Sequence, residues 1–234
     1  MFNTYLIRFA IRIILLFVGF LVYFTDPGIL DVENFEFFSS FSPTHIIWVY
    51  LLVVILFAFF PKARVNIGSL KYRKKYYSPT DYNADKLVAF KRKTNRSALL
   101  IAALWLVFNI PFWILYYLKI ITSKELLFLV MIFAAADIFC VLFFCPFQLV
   151  LNTKCCTTCR IFLWDHLMMV TPLMVVPGFF ARSLVVLAAL LLLVWEMSWR
   201  LHPEYFWENS NKSLRCSACH DKICQIKKPI STQK

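Results

Sequence analysis

Two cysteine pairs with metal-binding spacing lie in the second half of this chain, Cys156-Thr-Thr-Cys159 and Cys216-Ser-Ala-Cys219. Two residues between cysteines allow both thiolates to turn toward one ion, and two such pairs supply a tetrahedral set of four sulfur ligands. Residues 160–215 separate the pairs, a longer gap than in ordinary zinc ribbons. We therefore predict a metal site formed by Cys156, Cys159, Cys216 and Cys219, with the intervening chain returning to the same side of the molecule.

The identity of the metal is left open by the ligand pattern. At motif level the pairs resemble the knuckles of rubredoxins and zinc ribbons, although Arg160 and His220 stand where such knuckles often have glycine. Cys155, Cys224 and His220 are alternate ligands, so the thiolates outnumber those that one zinc ion needs. Because iron–sulfur clusters also use sets of four cysteines, iron, an iron–sulfur cluster and zinc all fit.

The tail pair continues into His220 and so also has the spacing of a c-type haem attachment site, Cys216-Ser-Ala-Cys219-His220. Haem is normally attached to such sites outside the cytoplasm, whereas the topology described below places this tail inside. A c-type haem is therefore disfavoured. The same reducing location argues against lasting disulfides.

Four ionisable residues inside apolar segments are candidates for catalysis, proton uptake or contact with a quinone: Asp137, Asp165, His166 and Glu196. Ionisable groups within a membrane are costly and usually mark a functional site. For Asp137, in the middle of its segment, we expect either a partner such as Asn109 or His166, or a protonated carboxyl group.

Some of these polar residues also have simple structural interpretations. Glu196 and Arg200 are four positions apart on one helical face, the spacing of an ordinary ion pair. Asp165 has Arg160 as a nearby candidate partner. Cys140 and Cys145 lie inside an apolar segment, where cysteine behaves as a small hydrophobic residue.

The composition requires a membrane environment for the elements that position these residues. The chain has 234 residues, of which 61% are hydrophobic and only 16% charged, whereas soluble domains carry about 25% charged residues. The apolar residues form long blocks with basic residues between them, which is the arrangement of membrane proteins. Six blocks are long enough to cross a bilayer, some with help from their flanks: 6–24, 46–60, 98–118, 126–151, 161–176 and 183–199.

The charges of the connecting segments predict the orientation. Residues 25–44 contain four acids and no Lys or Arg, whereas residues 62–97 contain eleven Lys or Arg and two Asp. The positive-inside rule places the first of these loops outside and the second in the cytoplasm. We therefore expect an all-α integral membrane protein, a bundle of about six transmembrane helices with both termini cytoplasmic and a cytoplasmic Cys-rich metal site.

This organisation predicts two structural regions in the chain. Residues 1–199 form the expected six-span transmembrane domain, with a basic cytoplasmic loop at 62–97 and the CxxC loop at 152–160. Residues 200–234 form a cytoplasmic, Cys-containing tail that is expected to pack on the membrane face, because its aromatic residues suit the interface.

Several function classes are disfavoured. The sequence has no nucleophile-elbow motif of a hydrolase, no phosphate-binding glycine loop and no paired-histidine zinc protease motif. The basic loop is explained by contact with anionic lipid headgroups, so the expected partner is the bilayer and no nucleic acid is expected.

We expect a membrane-embedded redox protein with a cytoplasmic, cysteine-ligated iron or iron–sulfur centre, in a bacterial-type inner membrane. A soluble electron donor or a membrane redox partner would exchange electrons with it. The alternative is a membrane scaffold or transporter in which zinc clips the tail to the CxxC loop. A third possibility is a lipid-modifying enzyme that uses Asp165 and His166 at the inner leaflet. Enzymatic activity is left open.

Overall fold

The computed structural model describes residues 2–33, 35, 42–60, 83–147 and 159–215. Most of these residues are helical, which confirms the all-α expectation. The α-helices are α1 Phe2–Thr25, α2 Pro43–Phe59, α3 Ala84–Tyr117, α4 Ser123–Leu142, α5 Asp165–Val170 and α6 Phe179–Leu201. Short 3-10 helices are formed by Pro27–Leu30, Arg160–Leu163, Thr171–Val175, Pro203–Phe206 and Lys212–Leu214.

Four of the described helices, α1, α3, α4 and α6, are long and apolar enough to cross a membrane. Helix α2 is also apolar but has 17 residues, a length of about 25 Å at the usual helical rise. Large apolar side chains on the outside of the bundle remain exposed, such as Phe17 on α1 and Leu201 on α6. This apolar surface suits contact with lipid tails, and the backbone polar groups inside each helix are paired within that helix.

Side-chain caps set the starts of two of the long helices. The Asn83 side chain accepts hydrogen bonds from the backbone N–H groups of Asp85 and Lys86 at the start of α3. At the start of α4, Glu125 accepts from the backbone N–H of Thr122 at 2.7 Å and completes a capping box. Such caps satisfy backbone donors that have no partner within the helix.

Two helices differ in extent from the expected segments. Helix α3 begins at Ala84 rather than near residue 98, because the polar stretch after Asn83 is also helical. Pro111 lies inside this continuous helix. Helix α4 ends at Leu142, ahead of the expected end at 151.

The fifth expected segment, 161–176, is not one continuous α-helix. It consists of a 3-10 turn, the short helix α5 and a second 3-10 turn, Thr171–Val175. Pro172 has no backbone N–H and therefore interrupts regular α-helical hydrogen bonding. The irregular segment packs against α3, α4 and α6.

The main core lies between α2, α4, α6 and this irregular segment. Ile55, Val130 and Leu184 are fully buried there. The indole Nε1 of Trp48 on α2 donates to Oγ of Ser183 on α6 at 2.9 Å. Helix α1 packs along α4 on the other side.

The residues after α6 fold back onto the bundle. The ring of Phe206 lies 5.2 Å from that of Trp199 on α6. Trp207 stacks on Phe90 of α3 at 5.8 Å. Leu214 is buried in the main core.

Candidate functional site

An ion pair joins α1 and α4 inside the bundle. Arg12 Nη1 lies 2.7 Å from Oδ2 of Asp137. The same guanidinium donates from Nε to the hydroxyl of Tyr50 on α2 at 3.2 Å and from Nη1 to the carbonyl oxygen of Ala134. Arg12 is only 8% exposed. The pair therefore compensates two charges that would each be costly to bury alone.

Arg12 is the partner of Asp137, instead of the Asn109 or His166 that we expected. Asn109 donates from Nδ2 to the carbonyl oxygen of Trp105 on its own helix at 2.8 Å. Arg12 was not among the candidate residues selected from the sequence. The criterion that selected Asp137, an ionisable residue inside an apolar segment, applies equally to Arg12 and would have identified it.

Asp165 and His166 form a second polar pair at the start of α5. Oδ1 of Asp165 accepts a hydrogen bond from the backbone N–H of His166 at 2.7 Å and also contacts Nδ1 of its ring. Both residues are close enough to Asp137 to interact with it electrostatically. Three of the four ionisable candidates thus lie in one region of the bundle.

Glu196, the fourth candidate, belongs to a different cluster beside Cys159. Nη2 of Arg160 lies 2.8 and 2.7 Å from the two carboxylate oxygens of Glu196. The indole of Trp164 donates to the same carboxylate at 2.7 Å, and the guanidinium lies 4.3 Å from the ring centroid of Trp199. Glu196 is therefore paired with Arg160. Two ion pairs considered from the sequence, Glu196 with Arg200 and Asp165 with Arg160, are not formed.

The Arg160 guanidinium is buried against the Glu196 carboxylate and the Trp199 ring. Arg160 is 7% exposed. The residue next to Cys159 in the sequence is thus held rigidly against α6 by an ion pair and an aromatic ring.

A cavity of about 310 Å³ lies between α3, α4 and α5, together with residues that follow α4 and residues that precede α5. Five aromatic residues line it: Trp105, Phe108, Phe133, Phe147 and Phe162. Asp137 and Asp165 also line it and are its charged residues. A largely apolar cavity with a few polar groups is the usual form of a small-molecule site.

Three described cysteines line this cavity: Cys140, Cys145 and Cys159. Cys159 belongs to the predicted metal site and is buried, with 5% of its surface exposed. Its thiol is a suitable metal ligand, and its position next to the anchored Arg160 suits a fixed coordination site.

The other predicted metal ligands, Cys156, Cys216 and Cys219, and the alternates Cys155, Cys224 and His220, lie outside the described residues. Within the described ranges, no group of three or more His, Cys, Asp or Glu side chains is arranged to hold a metal ion. Cys159 is thus the one predicted ligand whose surroundings the structure describes.

Comparisons of this chain with models of protein families, with curated proteins and with solved structures find no match.

Proposed function

We propose that this chain is a membrane-embedded redox protein with a cysteine-ligated metal centre. Cys156, Cys159, Cys216 and Cys219 would hold iron or an iron–sulfur cluster, with Cys155, Cys224 and His220 as alternates. Bound iron would supply electron-transfer chemistry at the membrane surface. A soluble donor or a membrane partner would exchange electrons with the centre, and a lipid-soluble carrier would occupy the cavity.

One observation carries the proposal: Cys159 lines the same cavity as the carboxylates Asp137 and Asp165. A redox site that serves a lipid-soluble carrier needs an electron-transfer group and proton-accepting groups near the same apolar space. The cavity combines a predicted metal ligand, two carboxylates and aromatic walls. The Arg12–Asp137 and His166–Asp165 contacts hold both carboxylates in place.

The proposal includes six crossings with both termini in the cytoplasm of a bacterial-type cell. Helices α1, α3, α4 and α6 supply four crossings. Helix α2 and the irregular segment 160–175 would supply the other two, because both are apolar and packed into the bundle. Labelling of the tail cysteines in intact cells with an impermeant thiol reagent tests this arrangement. We expect labelling only after permeabilisation, and strong labelling of intact cells would contradict the topology.

Metal analysis and an absorption spectrum of protein purified without oxygen test the redox function. We expect stoichiometric iron and visible absorbance that bleaches on reduction. A matched pair of variants locates the centre: Cys159→Ser should lose the iron, whereas Cys140→Ser, in the same cavity but outside the CxxC pairs, should retain it. A colourless protein with one zinc ion would contradict the redox function.

The second candidate function is a membrane scaffold or transporter in which a zinc ion joins the tail to the CxxC loop, and a different observation favours it. Arg160 is anchored to Glu196 and Trp199 of α6, and the tail packs through Phe206 onto the same Trp199. Both peptide segments that lead to the CxxC pairs are thus held near α6. Zinc between them would stabilise the fold, so chelation should then lower the melting temperature without changing any visible spectrum.

A further inference from the structure

The two carboxylates of the cavity each use one oxygen for a contact within the protein. Asp137 uses Oδ2 for Arg12, and Asp165 uses Oδ1 for His166. No hydrogen bond from a described residue reaches Oδ1 of Asp137 or Oδ2 of Asp165. Each carboxylate therefore keeps an acceptor atom for a ligand in the cavity.

The chemistry of these acceptors restricts the ligand. The ion pair with Arg12 favours the ionised form of Asp137, and the hydrogen bond from the His166 backbone N–H favours the ionised form of Asp165. An ionised carboxylate can only accept hydrogen bonds. A ligand that contacts both Asp137 and Asp165 must therefore have hydrogen-bond donors. A ligand with acceptors alone would place its lone pairs against the carboxylate oxygens and leave these buried oxygens without a hydrogen bond. Hydroxyl groups satisfy this requirement, whereas ketone oxygens do not.

The residues that line the cavity indicate the shape and polarity of the rest of the ligand. The ring centroids of Trp105 and Phe133 lie 4.7 Å apart in one wall, and such surfaces favour a flat aromatic ring. The cavity of about 310 Å³ is at the small end of ligand sites and suits a ring headgroup rather than a whole lipid. Phe108 of α3 and Ile132 of α4 line the cavity and remain exposed, which leaves room for an apolar tail to extend between these two helices.

We propose that this cavity binds the hydroquinone form of a lipid-soluble carrier, with one ring hydroxyl donating to Asp137 and the other to Asp165. This inference rests on the proposed function in naming a redox carrier as the ligand. The ring lies among the aromatic side chains, and the tail leaves past Phe108 and Ile132. Because the oxidised quinone has no hydroxyl donors, the site prefers the reduced form.

The preference for the reduced form is tested by measuring the binding of three decyl-substituted probes to the full chain in lipid nanodiscs. Isothermal titration calorimetry under anaerobic conditions gives the affinities. The probes are 2-decylhydroquinone, its dimethyl ether and 2-decylquinone. We expect the hydroquinone to bind about tenfold or more tightly than the other two, as hydrogen bonds to charged acceptors require. Equal affinities of the three probes would overturn the inference, as would tighter binding of decylammonium, a fourth and cationic probe, than of the hydroquinone.

Variants assign the preference to the carboxylates. Asp165→Asn should lower hydroquinone affinity about tenfold and leave the affinity of the dimethyl ether unchanged. Asp85→Asn, an exposed residue on α3 away from the cavity, is the matched control and should bind like the unmodified protein. An Asp165→Asn variant that keeps the full preference would overturn the role of this carboxylate.

Asp137 needs a compensated variant, since Asp137→Asn alone leaves the buried Arg12 unpaired. The double variant Arg12→Gln/Asp137→Asn removes both charges together and should also lose about tenfold in hydroquinone affinity. Retention of the preference by this variant, with melting temperature preserved, would overturn binding between two carboxylates.

The outcomes distinguish this inference from the proposed function. A colourless zinc protein that still prefers the hydroquinone through Asp165 contradicts the redox function and supports the ligand. A protein with stoichiometric iron but no preference among the three probes supports the redox function and overturns the ligand.

Discussion

Arg12 and Asp137 are 125 positions apart in the chain, and their side-chain atoms Nη1 and Oδ2 lie 2.7 Å from each other. The contact joins α1 to α4 and fixes a carboxylate in the wall of the cavity. A third element takes part, because Nε of Arg12 donates to Tyr50 on α2. One buried cation therefore links three helices beside the candidate site.

Replacing Asp137 with leucine should destabilise the fold strongly, because it leaves the Arg12 guanidinium buried and unpaired. We expect the free energy of unfolding to fall by about 3–5 kcal/mol. The double variant Arg12→Met/Asp137→Leu should recover most of this loss, since no charge remains buried. Unfolding in mixed detergent micelles measures both. Arg92→Met, at an exposed position on α3, is the control, and equal losses for the single and double variants would contradict the ion pair.

Glu196→Gln should lower stability by about 2–3 kcal/mol, because the carboxylate accepts hydrogen bonds from both Arg160 and Trp164. Arg200→Gln should change it by less than about 0.5 kcal/mol, since Arg160 is the partner of Glu196. Thermal unfolding in detergent compares the two variants. A loss in Arg200→Gln as large as that in Glu196→Gln would instead favour the pairing suggested by sequence spacing.

Two asparagines of α3 should respond in opposite ways to replacement by leucine. Oδ1 of Asn95 accepts from the indole of Trp199 at 3.0 Å, so Asn95→Leu leaves a buried donor unsatisfied and should cost about 1–3 kcal/mol. Oδ1 of Asn109 is buried and has no partner within the described part of the chain. Asn109→Leu removes that unsatisfied acceptor and should leave stability unchanged or raise it. A large loss in Asn109→Leu would show that this oxygen binds a group in the native protein.

The backbone conformation at the start of α6 requires a glycine, Gly178. Its φ of +102° is strained for other residues, and an added Cβ would lie 2.8 Å from the carbonyl oxygen of Glu33. Gly178→Ala should therefore destabilise the fold by about 1–3 kcal/mol. Gly28→Ala, which meets only the Asp26 side chain at 3.2 Å, should cost less when both are measured by thermal unfolding. The reverse order would contradict this account.

Part of the candidate site was accessible from the sequence. Asp137, Asp165 and His166 were selected as ionisable residues inside apolar segments, and the structure places them in one region. The partners of Asp137 and Glu196 were not predictable from spacing, because the helical pairing rule applies only within one helix. The observed Arg12–Asp137 and Arg160–Glu196 pairs join different elements.

Sequence alone determined that this chain is helical and apolar enough for a membrane, because composition and block length measure what a bilayer requires. It also identified the CxxC pairs, whose spacing is a local property. The tertiary structure decided that the segment around Pro172 is irregular, that Arg12 pairs with Asp137, and that Cys159 shares a cavity with both carboxylates. The physical reason is that helices which are apolar on all sides do not specify by pattern which faces meet. Those contacts are selected by side-chain packing and by the cost of leaving a buried charge unpaired.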